Sequence, residues 1–285
     1  MKTPPGLQRL IEEGVIDEVI RPLKSGKEAA VYVVRSGSEI RCAKVYKDVR
    51  ERSFHQLAQY QEGRRVRGSR QARAMGKNTR YGRKEQETAW KNTEVDALYR
   101  LAAAGVRVPQ PFGFFEGVLV MELVCDAEGH SAPRLGEIDL SPEEAREYHA
   151  FLIRQIVLML CAGLIHGDLS EYNVLVDGNG PVIIDLPQAV DASANNNALP
   201  MLIRDVRNMA TSLGRAAPEL LETDYANEMW ALFERSELKP DSPLTGIFVA
   251  PEGPADVEGV MRQIEEARDE NDRRQRGREA AEAAD

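Results

Sequence analysis

The sequence predicts an α+β fold in two lobes, the first built on an antiparallel sheet and the second mostly helical. Two observations predict it: short β-branched runs separated by turn residues occupy the chain up to Met121, and long helical periods dominate from Ser141 onward. A third bounds it, since 285 residues with 42% hydrophobic and 29% charged side chains form ordinary globular composition, long enough to bury a core. Collagen-like, low-complexity and wholly disordered chains are excluded. The longest apolar stretches, such as Ile156 to Cys161, fall far short of the roughly 20 residues that a membrane span needs.

Leu7, Leu10 and Ile11, then Val15, Ile16, Val19 and Ile20, read as a short helix leading into a strand, with Gly14 as the break. Ala29 to Val34 and Arg41 to Tyr46 are two strands, and Ser36-Gly37-Ser38 makes them a hairpin. Helical period returns at Glu94, Val95, Leu98, Leu101 and Ala102 and stops at Gly105; Pro109 and Pro111 lead a turn into Phe112 to Phe115, followed by a strand over Val118 to Met121. Ser141-Pro142-Glu143-Glu144 is a helix start, with a capping hydroxyl, proline at the first helical position and acids in the first turn. That helix runs through Tyr148, Leu152, Ile156 and Leu160 to Gly163. A strand over Val174 to Val176, a turn at 177–180 and a strand from Val182 to Asp185 come next, then helices over Pro200 to Leu213 and Glu219 to Phe233.

Net charge is −9, yet residues 47–91 hold 13 Lys/Arg against five Asp/Glu, an excess of +8 that leaves −17 for the rest. A basic island in an acidic chain points to an anionic partner at that island or to a solvated loop. Its stretch 48–89, with four glycines and few apolar anchors, reads as a long functional or mobile loop. From Glu252 the chain carries 11 acids and six arginines and few apolar residues, which suggests a docked helical turn or two followed by a charged tail. Cys42, Cys125 and Cys161 lie far apart without CxxC spacing, against a disulfide frame or a zinc site. The start of the chain, Met1-Lys2-Thr3-Pro4-Pro5-Gly6, lacks the apolar run of a signal peptide, so the expected location is the cytoplasm.

The chemistry is concentrated in His166-Gly167-Asp168-Leu169-Ser170-Glu171-Tyr172-Asn173, with Asp185 twelve residues further on at the end of a strand. Phosphoryl transfer needs a carboxylate to orient the acceptor hydroxyl and oxygen ligands for a Mg²⁺ that offsets phosphate charge. Asp168 and Asn173 on one tight loop, with Asp185 on the adjoining hairpin, supply three such groups, in the H-x-D-x-x-x-x-N pattern of protein-kinase catalytic loops. Lys44 stands mid-strand between small and apolar residues, where an ammonium is costly to bury unless an anion meets it. Kinases pair a lysine in this place with a helical glutamate, and Glu94, opening the next helix, would be that partner; taken singly, the two read equally well as an edge-strand lysine and a first-turn acid. Lys24-Ser25-Gly26-Lys27-Glu28-Ala29 lies between two strands, has neither Walker nor G-x-G-x-x-G spacing, and stands where a phosphate-covering loop should be.

With these segments the sequence resembles the RIO family of atypical serine kinases, its first subfamily more than its second, as a bacterial-type member. The matching stretches appear in family order over about residues 15 to 215 and include Ser25-Gly26-Lys27-Glu28-Ala29-Ala30-Val31-Tyr32, Ala43-Lys44-Val45-Tyr46, Trp90 with Glu94, and Val108-Pro109-Gln110-Pro111. Val120-Met121-Glu122 and His166 to Asn173 with Ile183-Ile184-Asp185 complete them. The resemblance implies a trimmed two-lobed kinase-like fold: an N-lobe over 1–123 containing the mobile basic loop 48–89, a C-lobe over 124–250, and the tail 251–285. It implies ATP between the lobes with Mg²⁺, or Mn²⁺ in its place, and no long activation segment. Asp168 would be the catalytic aspartate, Asn173 and Asp185 the metal ligands, Lys44 the phosphate contact paired with Glu94, and Ser25 the cover over the phosphates. Met121 would back the adenine, with the Glu122 carbonyl and the Val124 amide as hinge contacts. One departure stands out: the family's Ser-Thr-Gly-Lys-Glu loop has lost its Thr and reads Lys24-Ser25-Gly26-Lys27-Glu28.

The implied activity is serine/threonine protein phosphorylation, including of the chain itself; Ser69 and Thr79 sit among the arginines of the basic loop, where either is a candidate acceptor but reads more simply as a solvent-facing polar residue. The alternative is an ATPase-driven ribosome or ribonucleoprotein assembly factor whose arginines 64, 65, 67, 70 and 73 meet RNA, a contact that would weaken steeply with salt. A small-molecule phosphotransferase shares the His-Gly-Asp-Leu loop, but the roughly 70 residues between Asp185 and the tail leave little material for a substrate pocket.

Overall fold

Residues 3–26, 29–47 and 93–249 are described by the computed structural model. The basic stretch 48–89 with Ser69 and Thr79, the loop residues Lys27 and Glu28, Trp90 and the tail 251–285 lie outside the described residues. Strands β1 (Glu18–Ser25), β2 (Ala29–Ser36), β3 (Glu39–Tyr46), β4 (Pro111–Phe115) and β5 (Val118–Glu122) form one antiparallel sheet in the order β1-β2-β3-β5-β4. The β2–β3 hairpin is longer than its apolar runs suggest, closing at Ser36↔Glu39. Gly37 adopts φ 62°, the left-handed turn geometry that lets two central residues reverse the chain.

Strand alternation sends the sheet's side chains to two faces. Val34, Ala43, Val118 and Val120 pack on one face against Leu7 and Leu10 of helix α1 (Pro5–Glu12) and against Ile16. Tyr46 and Leu119 point to the other, where Val95, Leu98 and Leu101 of helix α2 (described over 93–103) join the main core. β4 is bulged between Pro111 and Gly113, and a Cβ on Gly113 would run into the Phe115 ring, which would have to shift to admit it.

The second half is anchored by helix α3 (Pro142–Cys161), which starts as its sequence predicts. The Ser141 hydroxyl accepts from the Glu144 amide at 3.2 Å and the Glu144 carboxylate accepts from the Ser141 amide at 2.8 Å. Leu152, Ile156, Val157 and Leu160 bury one face of α3 in a core shared with helices α4 (Ala198–Leu213) and α5 (Tyr225–Glu234). Each fully buried aliphatic side chain of this kind contributes about 1.5–3 kcal/mol.

Below α3, two-residue strands β6 (Leu164–Ile165) and β9 (Val190–Asp191) pair, and β7 (Val174–Asp177) and β8 (Gly180–Ile183) form a hairpin. Two expectations are corrected here. β8 ends at Ile183, two residues before Asp185, because Asp185 takes φ 67° and leaves the extended geometry. The single helix expected over 219–233 is a 3₁₀ turn (Pro218–Glu222) followed by α5, because Thr223 is extended at ψ 144° and the Asp224 side chain caps α5 at the Asn227 amide. No helix among the described residues is long and apolar enough to cross a membrane.

Candidate active site

Lys44 lies on the face of β3 that looks toward α2 and the β7–β8 hairpin. Its ammonium reaches the Glu94 carboxylate at 2.5 Å and Asp185 Oδ1 at 3.0 Å, with its side chain 13% exposed. Burial by itself would lower the Lys44 pKa; the charges of Glu94 and Asp185, with their hydrogen bonds, outweigh it and hold the pKa above the ordinary lysine value. Glu94 is buried at the start of α2, and its second oxygen accepts from the Tyr46 hydroxyl at 2.7 Å. Tyr46 follows Lys44 by two residues on the same face, so one strand supplies both partners of Glu94. Cys42 shares that face two residues earlier, and burial pushes its thiol up to about 12, keeping it protonated.

The loop between β6 and β7 carries Asp168 and Asn173. Asn173 Nδ2 donates to the Asp168 carbonyl at 2.9 Å, and its own carbonyl accepts from the Ile184 amide at 2.9 Å. The loop is thereby stitched to the residue before Asp185. His166 is buried beside it: Nε2 meets the Ile184 carbonyl at 3.0 Å while Nδ1 accepts from the Asp168 amide at 3.3 Å, which selects the Nε2–H tautomer. Gly167 supplies φ 78° between them. Burial raises the Asp168 pKa, against the pull of the Arg204 charge and with that of Asp185 adding to the rise. At Asp185 burial also pushes upward, but the Lys44 charge and hydrogen bond prevail and the pKa is lowered. Adjacent carboxylates thus have pKa values displaced in opposite directions, the pattern by which one site keeps an acid–base group and a permanent anion.

Lys44, Glu94, Met121 and Asp185 line one cleft, joined by Leu98, Pro109, Leu119, Ile184 and Leu186. Ser25, Glu122, Val124, Asp168 and Asn173 do not line it, the last two lying on the loop beside it. Ser25 is exposed at the end of β1, where the Lys47 ammonium reaches its hydroxyl at 3.2 Å and the Gly26 carbonyl at 2.7 Å. The Glu122 carboxylate accepts from the Gln110 amide at 3.0 Å, and the Val124 carbonyl accepts from the Ala132 amide at 3.0 Å while its side chain is buried with Val182.

Sequence reasoning missed the group that holds the Asp168 loop from below. Asp205 of α4 is 1% exposed and accepts from the Gly167 amide at 2.7 Å and the Leu169 amide at 2.9 Å. Asn208 donates to the Leu169 carbonyl at 2.8 Å, and Arg204 donates to the Gly167 carbonyl. Burial lifts Asp205 to about 6, although both amides and the charge of Arg204 favour its ionised form.

Comparison with known proteins agrees with this geometry, since the family model of the RIO domain matches residues 30–226. The chain belongs to the RIO family. Ser25 precedes the matched stretch of the RIO domain; the other candidate residues lie inside it. A Haloferax volcanii protein named RIO-type serine/threonine-protein kinase Rio1 is 35% identical over 212 residues, 73% of this chain and 68% of its own length. The Schizosaccharomyces pombe serine/threonine-protein kinase rio1 is 32% identical over 211 residues, 73% of this RIO chain but only 41% of its own. A solved kinase-domain crystal structure overlaps 77% of this chain and 67% of its own at a TM-score of 0.47 and 15% identity.

Proposed function

We propose that this RIO chain is an ATP-dependent protein kinase of the non-specific serine/threonine class, transferring the γ-phosphate of ATP to a protein hydroxyl, its own included. One observation carries the reading: a lysine held charged by two carboxylates at a cleft, beside an aspartate loop stitched to the strand that leads into one of those carboxylates. In this reading Asp168 accepts the hydroxyl proton as the oxygen attacks the γ-phosphorus, and the bond to the bridging oxygen breaks to release ADP. The raised pKa of Asp168 suits a base that must hold that proton. Lys44 meets the phosphates as an ammonium kept in place by Glu94. Ser25 lies over the phosphates, Met121 backs the adenine, and the Glu122 carbonyl and Val124 amide form the hinge, with the lobes divided as 1–123 and 124–250.

Asn173 and Asp185 are the metal-facing pair. The Asn173 side-chain nitrogen is spent on the Asp168 carbonyl, which leaves its oxygen as the donor. Among the described residues no three His, Cys, Asp or Glu side chains form a metal cage. Two oxygen donors without a cage fit Mg²⁺, which completes its shell with phosphate and water, and Mn²⁺ fits the same donors. Bound with ATP, the ion supplies charge neutralisation across the phosphates.

The test is incubation with γ-labelled ATP and Mg²⁺, beside Asp168→Asn and Asp185→Asn. Acid-stable label on serine or threonine of the wild type is expected, with turnover about 10²–10⁴-fold lower in Asp168→Asn. Full activity in that variant would remove Asp168 as the base. Free phosphate with little stable label would instead favour an ATPase switch acting on a ribosomal particle or RNA through the basic stretch 64–73, in a cytoplasmic setting.

A further inference from the structure

We infer that Arg107 is a positioning residue that clamps the end of β5 to the β7–β8 hairpin and so sets the width of the nucleotide cleft. The inference rests on the ATP-site reading above for its kinetic consequence, though not for its geometry. Arg107 lies in the segment that leaves α2 and enters β4. Its guanidinium is divided between two carboxylates: Nη2 donates to Asp177 at the end of β7, and Nη1 stands 3.6 Å from Glu122 Oε1 at the end of β5. Its backbone is fixed as well, the amide donating to Gln155 Oε1 of α3 at 2.8 Å and the carbonyl accepting from the Ile183 amide of β8 at 2.9 Å. Glu122 is itself bound to the Gln110 amide three residues further along the same segment.

These contacts join two things that the reaction needs at a fixed separation. β5 carries Met121 of the cleft and leads into the stretch 122–124. The hairpin begins directly after Asn173 and ends two residues before Asp185. Pro109, two residues from Arg107, lines the cleft between them. Asp177 is only 8% exposed, so its charge depends on the guanidinium for compensation, whereas Glu122 at 32% is wetter and its longer contact is the one that can lengthen. A planar five-donor fork reaches the two carboxylates from separate, fixed nitrogens, whereas a lysine would have to serve both from a single point on a shorter reach. Arg107 is not among the residues that line the cleft; it acts through Glu122 and the hairpin.

The experiment compares Arg107→Ala, Arg107→Lys, Glu122→Gln and Gln155→Ala by thermal melting, by KM and kcat for MgATP, and by backbone hydrogen exchange of the nucleotide-free full chain. Arg107→Ala is expected to raise KM about five- to tenfold with a smaller change in kcat, and to speed exchange at both 120–125 and 174–183. Arg107→Lys should recover melting temperature more than KM. Glu122→Gln should raise KM in the wild type and add nothing in Arg107→Ala. Gln155→Ala removes only the backbone tether and should lower the melting temperature while leaving KM in place. An Arg107→Ala protein that melts early but keeps the wild-type KM and exchange pattern would overturn the clamp. A wild-type protein that binds no MgATP would overturn the kinase reading, and the exchange measurement would then decide the clamp alone: faster exchange at both segments upholds it, unchanged exchange sinks it.

Discussion

Tyr46 bears more on the cleft than its place at the end of a strand suggests. Its hydroxyl occupies the Glu94 oxygen that Lys44 leaves open, inside the core. Tyr46→Phe is expected to cost about 1–3 kcal/mol, the range for stranding a buried acceptor, and to reduce phosphoryl transfer by loosening the hold on Lys44. Urea denaturation beside a transfer assay checks both. Lys44→Met should cost more, about 3–5 kcal/mol, because it leaves a buried carboxylate without its counter-charge; a variant as stable as the wild type in the same denaturation would remove the pair from the stability of the lobe. Lys44, Asp168, Asn173 and Asp185 could be singled out in the sequence because residue type and spacing within short contiguous stretches mark them, and the structure brings Lys44 to Asp185 and Asn173 to the Asp168 carbonyl. Asp205 could not. It stands 36 to 38 residues from the amides it receives, and inside an amphipathic helix a lone aspartate reads like any solvated acid until the loop is seen to rest on it. Arg107 escaped for the same reason, since neither Glu122 nor Asp177 is near it in sequence.

Elements with strong local chemistry formed where the residues said they would. Helix α3 is the clearest, because proline, a hydroxyl cap and first-turn acids all mark one start. Ser141→Ala should therefore lower stability by about 1 kcal/mol, read as an earlier melt with unchanged KM. Local signals failed where a backbone choice depends on distant packing. The two-residue strands β6 and β9 lack the length to show an alternating pattern and exist only because they meet each other. The stretch 219–233 keeps helical period throughout, yet the Asp224 cap starts a fresh helix inside it. Asp185 lies outside its expected strand at φ 67°, a conformation that costs a non-glycine residue about 1–2 kcal/mol and is held here by Lys44.

The two-lobed α+β architecture was predictable from the order of patterns along the chain; the response of the whole to acid was not. His149 of α3 is 2% exposed, its ring 5.7 Å from that of Tyr225, and its Nε2 finds no partner among the described residues. Burial drives its pKa down from 6.5 to about 4. The folded chain thus binds fewer protons than the unfolded one between these values. The stability contributed is fully present above pH 6.5 and is lost as pH falls through 4, at most about 3 kcal/mol. Denaturation at pH 7 and pH 4.5 should show that loss, and His149→Leu should flatten it. The sheet has a consequence for crowded conditions. Its outer strand β1 slips register twice and carries Pro22 and Lys24, and β4 on the opposite side is bulged just after Pro111. Neither border offers a straight row of unpaired amides and carbonyls, so neighbouring copies cannot extend one another's ladders, and the lobe is guarded against growing into fibrils.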